Sequence, residues 1–219
     1  MSRRRARTAF RPHPTARATG NVARPAATAM QQAWSLYATG QLQPAEALCR
    51  SMLRERADDP GTMSLLGIMM AQSGRVQEAA ALLGQVAALT PQDASAHNNH
   101  GNALRSLGRY GKALSCYDRA VTLLPGYVDA HYNRGVTLHD LRRHPEALAS
   151  YDQAVALKPD HASAWNNRGA TLRELRRTEE ALESYERAIA VRPDYAEAHG
   201  NRGVALQELH YASHLGKLL

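Results

Sequence analysis

The chain repeats one stretch of sequence three times, as KALSCYDRAVTLLP (112–125), EALASYDQAVALKP (146–159) and EALESYERAIAVRP (180–193). Each copy begins 34 residues after the one before it. Extending this frame without insertion or deletion gives six repeat starts, at Ala26, Pro60, Ala94, Val128, Ala162 and Ala196. A period of this length indicates a unit that cannot bury its own apolar face and must stack on its neighbours.

Each of the five full repeats contains the signals of two amphipathic helices, whereas repeat 6 supplies only its first helix. In repeat 5, Trp165 and Leu172 at positions 4 and 11 share one helix face, and Ala181 and Tyr185 at positions 20 and 24 share a second. Glycine at position 15 of repeats 1 to 3 predicts a left-handed turn between the helices, and proline at position 32 predicts the end of the second helix. Glycine at position 8 predicts close helix approach. The predicted N-caps are Asp160 and Asp194.

These signals predict an all-α protein, a right-handed superhelical solenoid of antiparallel helix hairpins with about five and a half repeats over residues 26–209. Aromatic residues make up only 5% of the chain, which argues against a β-sandwich or barrel. No apolar run approaches the roughly 18 to 20 residues that span a bilayer. Two widely separated cysteines predict neither a disulfide framework nor a metal pair, so a cytoplasmic protein is expected. The heavy use of arginine and alanine with only three lysines fits a GC-rich bacterial gene, so a bacterial protein is expected.

Both ends of the chain differ from the repeats. Residues 1–25 hold seven arginines and no acidic residue, whereas residues 26–219 balance 20 basic against 20 acidic residues. The first segment is predicted to be a disordered basic tail, which leaves open a transit peptide, a weak phosphate-binding arm, a solvated extension and a true translation start at Met30. Residues 210–219 leave the repeat pattern and are predicted to be a cap, a truncation or an end through which the chain forms a homo-oligomer.

Repeats 3 to 5 carry glycine, leucine, alanine, tyrosine, alanine and proline at six marker positions, and this pattern resembles the tetratricopeptide repeat (TPR) family. Two departures stand out. Arg142 and Arg176 replace the turn glycine, at a cost of about 1 kcal/mol if those positions are left-handed. At position 7, four polar residues replace the leucine of the family, and their charged heads are expected to run out to solvent. They are His100, Arg134, Arg168 and Arg202.

The resemblance implies that the first helix of each hairpin lines a concave surface with positions 2, 5, 6, 9, 12 and 13. Position 6 holds asparagine in four successive repeats, as Asn99, Asn133, Asn167 and Asn201. A solvent-facing amide offers both a donor and an acceptor, so the row is predicted to bind the backbone of an extended peptide. It resembles the asparagine ladder of O-linked N-acetylglucosamine transferases. Two alternatives stay open: copying by duplication, and hydrogen bonds to the backbone of a neighbouring repeat.

Other positions complete the predicted peptide-binding site. Leu65 and Ile68 of repeat 2 predict an apolar pocket, and Tyr132 predicts a stacking surface. Position 12 carries mostly basic side chains and position 13 mostly acidic ones, so neither positive nor negative charge dominates the groove. The positively charged residues with which some TPR domains clamp an acidic chaperone tail are missing at positions 2, 5 and 6. The remaining members of the predicted site are Asn98, Asn102, Asn166, Arg105, His139 and Arg173.

No motif in the sequence predicts an enzyme. His97, His131 and His199 share position 4 with Trp165 and are predicted to be packing rings, too far apart to ligate one metal ion. No cofactor or metal is predicted. The favoured function is a non-catalytic scaffold that binds an extended protein segment. Two alternatives are a substrate-recruiting remnant or subunit of a protein O-glycosyltransferase, and RNA binding through the repeats and the arginine tail.

Overall fold

The computed structural model describes the backbone of residues 23–215 and the side chains of residues 28–211, and within them it contains eleven α-helices and no strand. This confirms the all-α prediction. The helices are α1 (Ala23–Ala38), α2 (Leu42–Glu55), α3 (Pro60–Gln72), α4 (Val76–Leu89), α5 (Ala94–Ser106), α6 (Tyr110–Leu123), α7 (Val128–Asp140), α8 (His144–Leu157), α9 (Ala162–Glu174), α10 (Thr178–Val191) and α11 (Ala196–Leu215).

The chain divides into two compact units, Met1–Leu123 and Leu124–Leu219, here called unit 1 and unit 2. In unit 1, three hairpins form from α1 and α2, α3 and α4, and α5 and α6. In unit 2, α7 pairs with α8 and α9 with α10, and α11 packs on α10. Within each unit, the first helices of successive hairpins are neighbours, so α7, α9 and α11 lie side by side.

The first helices of repeats 2 to 6 begin at the first residue of the 34-residue frame, from Pro60 in α3 to Ala196 in α11. The predicted N-caps are wrong. Asp160 and Asp194 lie two residues before α9 and α11 begin, one residue too early to cap them. The Nδ1 atom of His161 accepts the backbone N–H of Ala164 instead, at 3.3 Å, which supplies an acceptor at the start of α9.

The turn inside each hairpin adopts the predicted left-handed conformation. The φ angles of Gly40, Gly74 and Gly108 are 77°, 85° and 72° in unit 1. Arg142 and Arg176 adopt φ angles of 60° and 62° at the same positions of unit 2. A side chain in this region of backbone space costs about 1 kcal/mol or more, so the turns of unit 2 hold strain that the turns of unit 1 do not.

The two helices of a hairpin approach closely at the glycine of position 8. A methyl group added to Gly169 would lie 2.6 Å from the ring of Tyr185, and one added to Gly67 would lie 2.7 Å from Leu83. Around these contacts, the core of unit 1 is built largely from methionine, leucine and alanine, whereas Leu172, Ala181 and Tyr185 belong to a core of unit 2. Small residues at the crossing points therefore set the spacing of the helix pairs.

The predictions for the two termini fall partly outside the described residues. Residues 1–22 and 216–219 are not described, but Ala23 already belongs to α1, so the last three residues of the predicted tail are helical. At the other end, α11 continues to Leu215. The boundary predicted at residue 209 therefore does not coincide with the end of a helix.

Candidate functional site

The four asparagines of position 6 have different environments. Asn99 and Asn133 are buried, with 3% and 2% of their surface exposed, whereas Asn167 and Asn201 are half-buried. The premise that this position faces solvent is therefore wrong for the first two, because the neighbouring helices cover them. A ligand can reach only the last two without a change in the protein, so the position does not form a uniform row of four.

The asparagines of unit 2 take part in an amide network that joins α7, α9 and α11. The Nδ2 atom of Asn167 donates to the hydroxyl of Tyr132 at 3.2 Å, and that of Asn201 donates to Oδ1 of Asn166 at 3.0 Å. Asn166, which is fully buried, donates to Oε1 of Glu197 at 3.1 Å and to Oδ1 of Asn167 at 3.3 Å. Three of these four bonds link side chains of adjacent repeats, and none of the four involves a backbone group.

The network leaves hydrogen-bonding capacity on the two exposed amides. A primary amide has two N–H donors and two acceptor lone pairs. After the bonds above, one N–H and one lone pair remain on Asn167, and one N–H and both lone pairs of Oδ1 remain on Asn201. Both side chains can therefore hold their neighbours and still receive a peptide group.

Asn98 and Asn102 of unit 1 are fully buried in α5. Oδ1 of Asn102 accepts the hydroxyl of Tyr117 at 2.8 Å across the α5–α6 hairpin. This bond stabilises the hairpin from inside, which corrects the prediction that the two residues line a ligand groove.

The predicted apolar pocket of repeat 2 is wrong. Leu65 and Ile68 are 0% and 1% exposed, and Leu65 packs in the core of unit 1 with Cys49 and Met69. Because α3 is apolar on most of its surface, the neighbouring helices cover it on several sides, and a ligand has no access to these two side chains.

Tyr132 is half-buried on α7, and its ring packs on the chain itself. Its centroid lies 4.9 Å from that of His161 in a stacked arrangement and 6.1 Å from that of Tyr151. Burial lowers the pKa of His161, and the nearby Lys158 adds to the effect. The neutral ring suits both the stack and the bond that His161 accepts at the start of α9. The predicted stacking surface therefore already holds a ring of this protein.

His139 and Arg173 at position 12 are half-buried, and ion pairs join neighbouring repeats of unit 2 at Arg173 and at the turn residue Arg142. Nε of Arg173 lies 3.6 Å from Oε1 of Glu208, and Nη1 of Arg142 lies 3.7 Å from Oε2 of Glu174. His139 packs edge-on to His144 at a centroid distance of 5.0 Å. Burial, followed by the neighbouring His144, lowers its pKa. Arg105 of unit 1 is half-buried as well. The charges of this face in unit 2 thus largely balance one another.

Sequence reasoning missed a bond that recurs at position 4. The ring nitrogen of His131 lies 2.8 Å from the carbonyl oxygen of Pro125, and that of His199 lies 2.8 Å from the oxygen of Pro193. Trp165 donates to the oxygen of Pro159 at 2.8 Å, and His97 lies 3.2 Å from that of Pro91. Histidine and tryptophan both carry a ring N–H at a similar distance from the backbone. Their occurrence at the same position of the repeat was the sequence signal for this bond. The rings therefore tie the loop between consecutive helices as well as packing.

The arginines of position 7 in repeats 4 and 5 bind a serine of their own hairpin, and Arg168 also binds an aspartate of the preceding repeat. Arg134 donates to the hydroxyl of Ser150 at 2.6 Å, and Arg168 donates to that of Ser184 at 2.7 Å and to Asp152 at 2.6 Å. The expectation that these heads run out to solvent is wrong here, because a serine of the second helix supplies an acceptor. In repeat 3, His100 and Cys116 occupy the same two positions, with Nδ1 and Sγ 3.6 Å apart.

The two cysteines are free thiols without the features of a nucleophile. Burial raises the pKa of Cys49 and that of Cys116 to about 11, so both stay protonated near neutral pH. Burial also lowers the pKa of His100, which excludes a thiolate–imidazolium pair with Cys116. Over the described residues there is no cluster of three metal-ligating side chains and no helix long and apolar enough to cross a membrane.

Two family models match most of the described chain. A tetratricopeptide repeat model matches residues 65–128, 98–162 and 132–183, and a TPR repeat model matches residues 169–209. No curated protein matches the chain.

Solved structures of TPR proteins share this fold. MamA from Desulfovibrio magneticus RS-1 is 20% identical, with a TM-score of 0.69 over 82% of this chain and 99% of that one. YrrB, described as a TPR protein with an unusual peptide-binding site, is 23% identical, with a TM-score of 0.66 over 80% of this chain and 90% of that one.

The first TPR domain of Spaghetti (RPAP3), bound to the HSP90 peptide SRMEEVD, is 28% identical, with a TM-score of 0.53 over 54% of this chain and 94% of that one. The resemblance to O-linked N-acetylglucosamine transferases finds no support in these comparisons.

Proposed function

The chain belongs to the tetratricopeptide repeat family, and we propose that it is a non-catalytic scaffold that binds an extended segment of another protein on the first-helix face of unit 2. This face consists of the side of α7, α9 and α11 that carries Tyr132, Asn167 and Asn201. The observation that carries the proposal is the amide network, because it fixes two half-exposed amides on adjacent helices with hydrogen-bonding capacity to spare.

The spacing of the helices suits an extended ligand. Adjacent packed helices lie about 8 to 10 Å apart, and an extended chain rises about 3.3 Å per residue. Asn167 and Asn201 would therefore meet peptide groups roughly three residues apart. Because each amide is already held by a neighbour, little side-chain entropy is lost when the peptide binds.

The charges of the face support a ligand of low net charge. Arg173 lies on the same helix as Asn167, and the carboxylate of Glu208 lies 3.6 Å from its guanidinium. An acidic group of the ligand would therefore have to compete with a carboxylate of the protein. The peptide bound by the RPAP3 domain has two consecutive glutamates and ends in aspartate. Because the matching cations are missing here, we propose that this chain selects against acidic tails of that kind.

The free thiols support a reducing compartment, and we propose the cytoplasm as the place where the scaffold acts.

A peptide array followed by affinity measurements tests the function. The full chain is screened against overlapping peptides, and the best peptide is titrated with the wild type and with the Asn167→Ala/Asn201→Ala double variant. Each lost hydrogen bond contributes about 0.5 to 1.5 kcal/mol, so the double variant should bind roughly 5- to 100-fold more weakly. Asn99→Ala is the matched control, since it removes the same group at a buried position and should leave affinity unchanged.

Two results would reject the proposal at different levels. If no peptide binds the wild type, the scaffold function is wrong. If the double variant and the wild type bind alike, a peptide binds elsewhere and the role of the two amides is wrong.

A further inference from the structure

Four hairpins show what normally covers one side of a first helix. This side, here called the hairpin face, carries positions 7, 8 and 11 and packs on the second helix of the same repeat. At position 8, glycine receives a large side chain of that second helix. A methyl group added there would lie 2.6 to 2.8 Å from the side chains of Leu83, Tyr117, Tyr151 and Tyr185 in repeats 2 to 5.

The hairpin face of α11 lacks this cover in the described part of the chain. A methyl group added to Gly203 would meet nothing within 4 Å. Leu206 at position 11 is 49% exposed, whereas the residues of that position in repeats 2 to 5 are almost completely buried. They are Met70 at 6%, Leu104 at 5%, Leu138 at 0% and Leu172 at 0%. The glycine hollow and the apolar side chain beside it are therefore both open.

The hairpin face of α11 also carries a hydrogen-bond donor, the arginine of position 7. In repeats 4 and 5 the arginine of position 7 donates to a serine of the second helix, as described for Arg134 and Arg168. Arg202 occupies the same position of α11 and has no hydrogen-bond or ion-pair partner among the described side chains. A ligand that supplies a hydroxyl acceptor at this point would complete the arrangement.

We propose that the hairpin face of α11 is a docking site for a helix of a partner protein with the pattern A-x-x-S-Y-x-x-A. The two second helices that face an arginine in this chain carry that pattern, at 147–154 and 181–188. On α11, the tyrosine ring of the partner fills the hollow at Gly203 and packs on Leu206. The preceding serine accepts a hydrogen bond from Arg202, and the two alanines allow close approach.

A second copy of this chain is a poor source of that helix. The tyrosines of its two matching segments, Tyr151 and Tyr185, are 1% and 0% exposed because they fill hollows in their own hairpins. A second copy could offer either segment only by opening a folded hairpin. A partner whose helix is free has no such cost, so the site favours another protein.

The test uses a helical peptide with the sequence of α10, residues 178–191, labelled with a fluorophore. Glu183→Lys in the peptide allows a lactam bridge between this lysine and Glu179, two positions that are exposed in α10, and the bridge holds the short peptide in helical form. Binding to the full chain is followed by fluorescence anisotropy. The peptide in which alanine replaces the tyrosine should bind at least tenfold more weakly, because the ring carries most of the buried surface.

A matched pair of protein variants locates the site. Gly203→Leu fills the hollow and should weaken binding at least tenfold. Gly200→Leu introduces the same side chain one turn earlier, at another glycine with nothing within 4 Å, and should change affinity less than twofold. Both substitutions replace glycine with leucine in the same helix, so they should change the stability of that helix by similar amounts. Arg202→Ala should weaken binding roughly three- to tenfold.

Three results would overturn the proposal. The first is a wild type that does not bind the peptide. The second is equal binding by the Gly203→Leu and Gly200→Leu variants. The third is a wild-type dimer in light scattering that Gly203→Leu converts to a monomer, since the occupant would then be a second copy. The Asn167→Ala/Asn201→Ala variant should bind this peptide with wild-type affinity. The two proposals are therefore tested separately, and a failure of the site on the first-helix face of unit 2 would leave the docking site on α11 intact.

Discussion

Helices α3 of unit 1 and α9 of unit 2 occupy the same place in the repeat but are stabilised by different interactions. At positions 6, 7 and 9, α3 carries Leu65, Leu66 and Ile68, which are 0%, 4% and 1% exposed. At positions 6 and 7, α9 carries Asn167 and Arg168, which bind Tyr132, Asp152 and Ser184 through hydrogen bonds.

The difference shows what the 34-residue frame specifies. The frame fixes where the helices begin and where small residues are required. It does not fix whether the hairpins pack through apolar side chains or through polar networks. A polar network leaves part of its donors and acceptors near the surface. Of the two helices compared, α9 is therefore the one with groups left over for a ligand.

The largest expected effect compares one position in the two helices. Leu65→Ala creates a cavity in the core of unit 1 and should lower the free energy of unfolding by about 3 kcal/mol. Asn167→Ala removes a half-exposed amide and should cost about 1 kcal/mol. Urea denaturation of the two variants measures both values. Similar losses would show that the two helices are stabilised alike and would remove the basis of the comparison.

The next effect concerns the crossing points. Gly169→Ala brings a methyl group to 2.6 Å from the buried ring of Tyr185 and 3.0 Å from the carbonyl oxygen of Ala181. It should cost about 2 kcal/mol through overpacking. Gly67→Ala meets only Leu83, whose side chain can rotate, so it should cost about 1 kcal/mol. Melting temperatures rank the variants, and a greater loss for Gly67→Ala would contradict this reading of the two interfaces.

The turns should respond in opposite directions. Arg176→Gly relieves the left-handed strain and should stabilise the protein by about 1 kcal/mol, less the added flexibility of the unfolded chain. Gly74→Ala introduces the same strain in unit 1 and should destabilise it by about 1 kcal/mol. Urea midpoints measure both effects. Left-handed strain at both turns requires opposite signs, so a change of the same sign in both variants would show that Arg176 is not strained.

The smallest effect is a dependence on pH that involves unit 2 more than unit 1. Burial lowers the pKa of His100 in unit 1 and those of His139 and His161 in unit 2. Below the ordinary histidine pKa of about 6.5, the unfolded chain takes up these protons more readily than the folded one. Stability should therefore fall as the pH drops from about 6.5 towards the lowered pKa values, and it should level off below them.

His161→Asp sharpens this comparison, because aspartate can accept the N–H at the start of α9 and remains an acceptor at pH 5. The urea midpoint of the variant should decline less than that of the wild type between pH 7.5 and pH 5. Equal declines would show that His161 does not contribute to the effect.

The fold was predictable because its signals are local and repeated. Helical spacing, the glycine or arginine at position 15 and the glycine at position 8 act through neighbours within one hairpin. The failed N-caps show the limit of such reasoning, since Asp160 had suitable chemistry but stood one residue from the position where the ring of His161 acts.

The candidate site was less predictable because exposure depends on what lies on the next helix. Asparagine at position 6 looks identical in four repeats, yet Asn133 is 2% exposed and Asn167 is half-buried. Leu65 looked like a pocket wall and proved to be core. Neither outcome follows from spacing alone, because each requires the packing of neighbouring helices.

The bond between the ring of position 4 and the prolyl oxygen six residues earlier makes the joints between hairpins of a unit interchangeable. If residues 162–195 were deleted, the ring of His199 would stand six residues after Pro159, where the indole of Trp165 stands now. The splice would need no new side chain. The chain can therefore gain or lose whole 34-residue repeats during evolution, and its length can be engineered in the same steps.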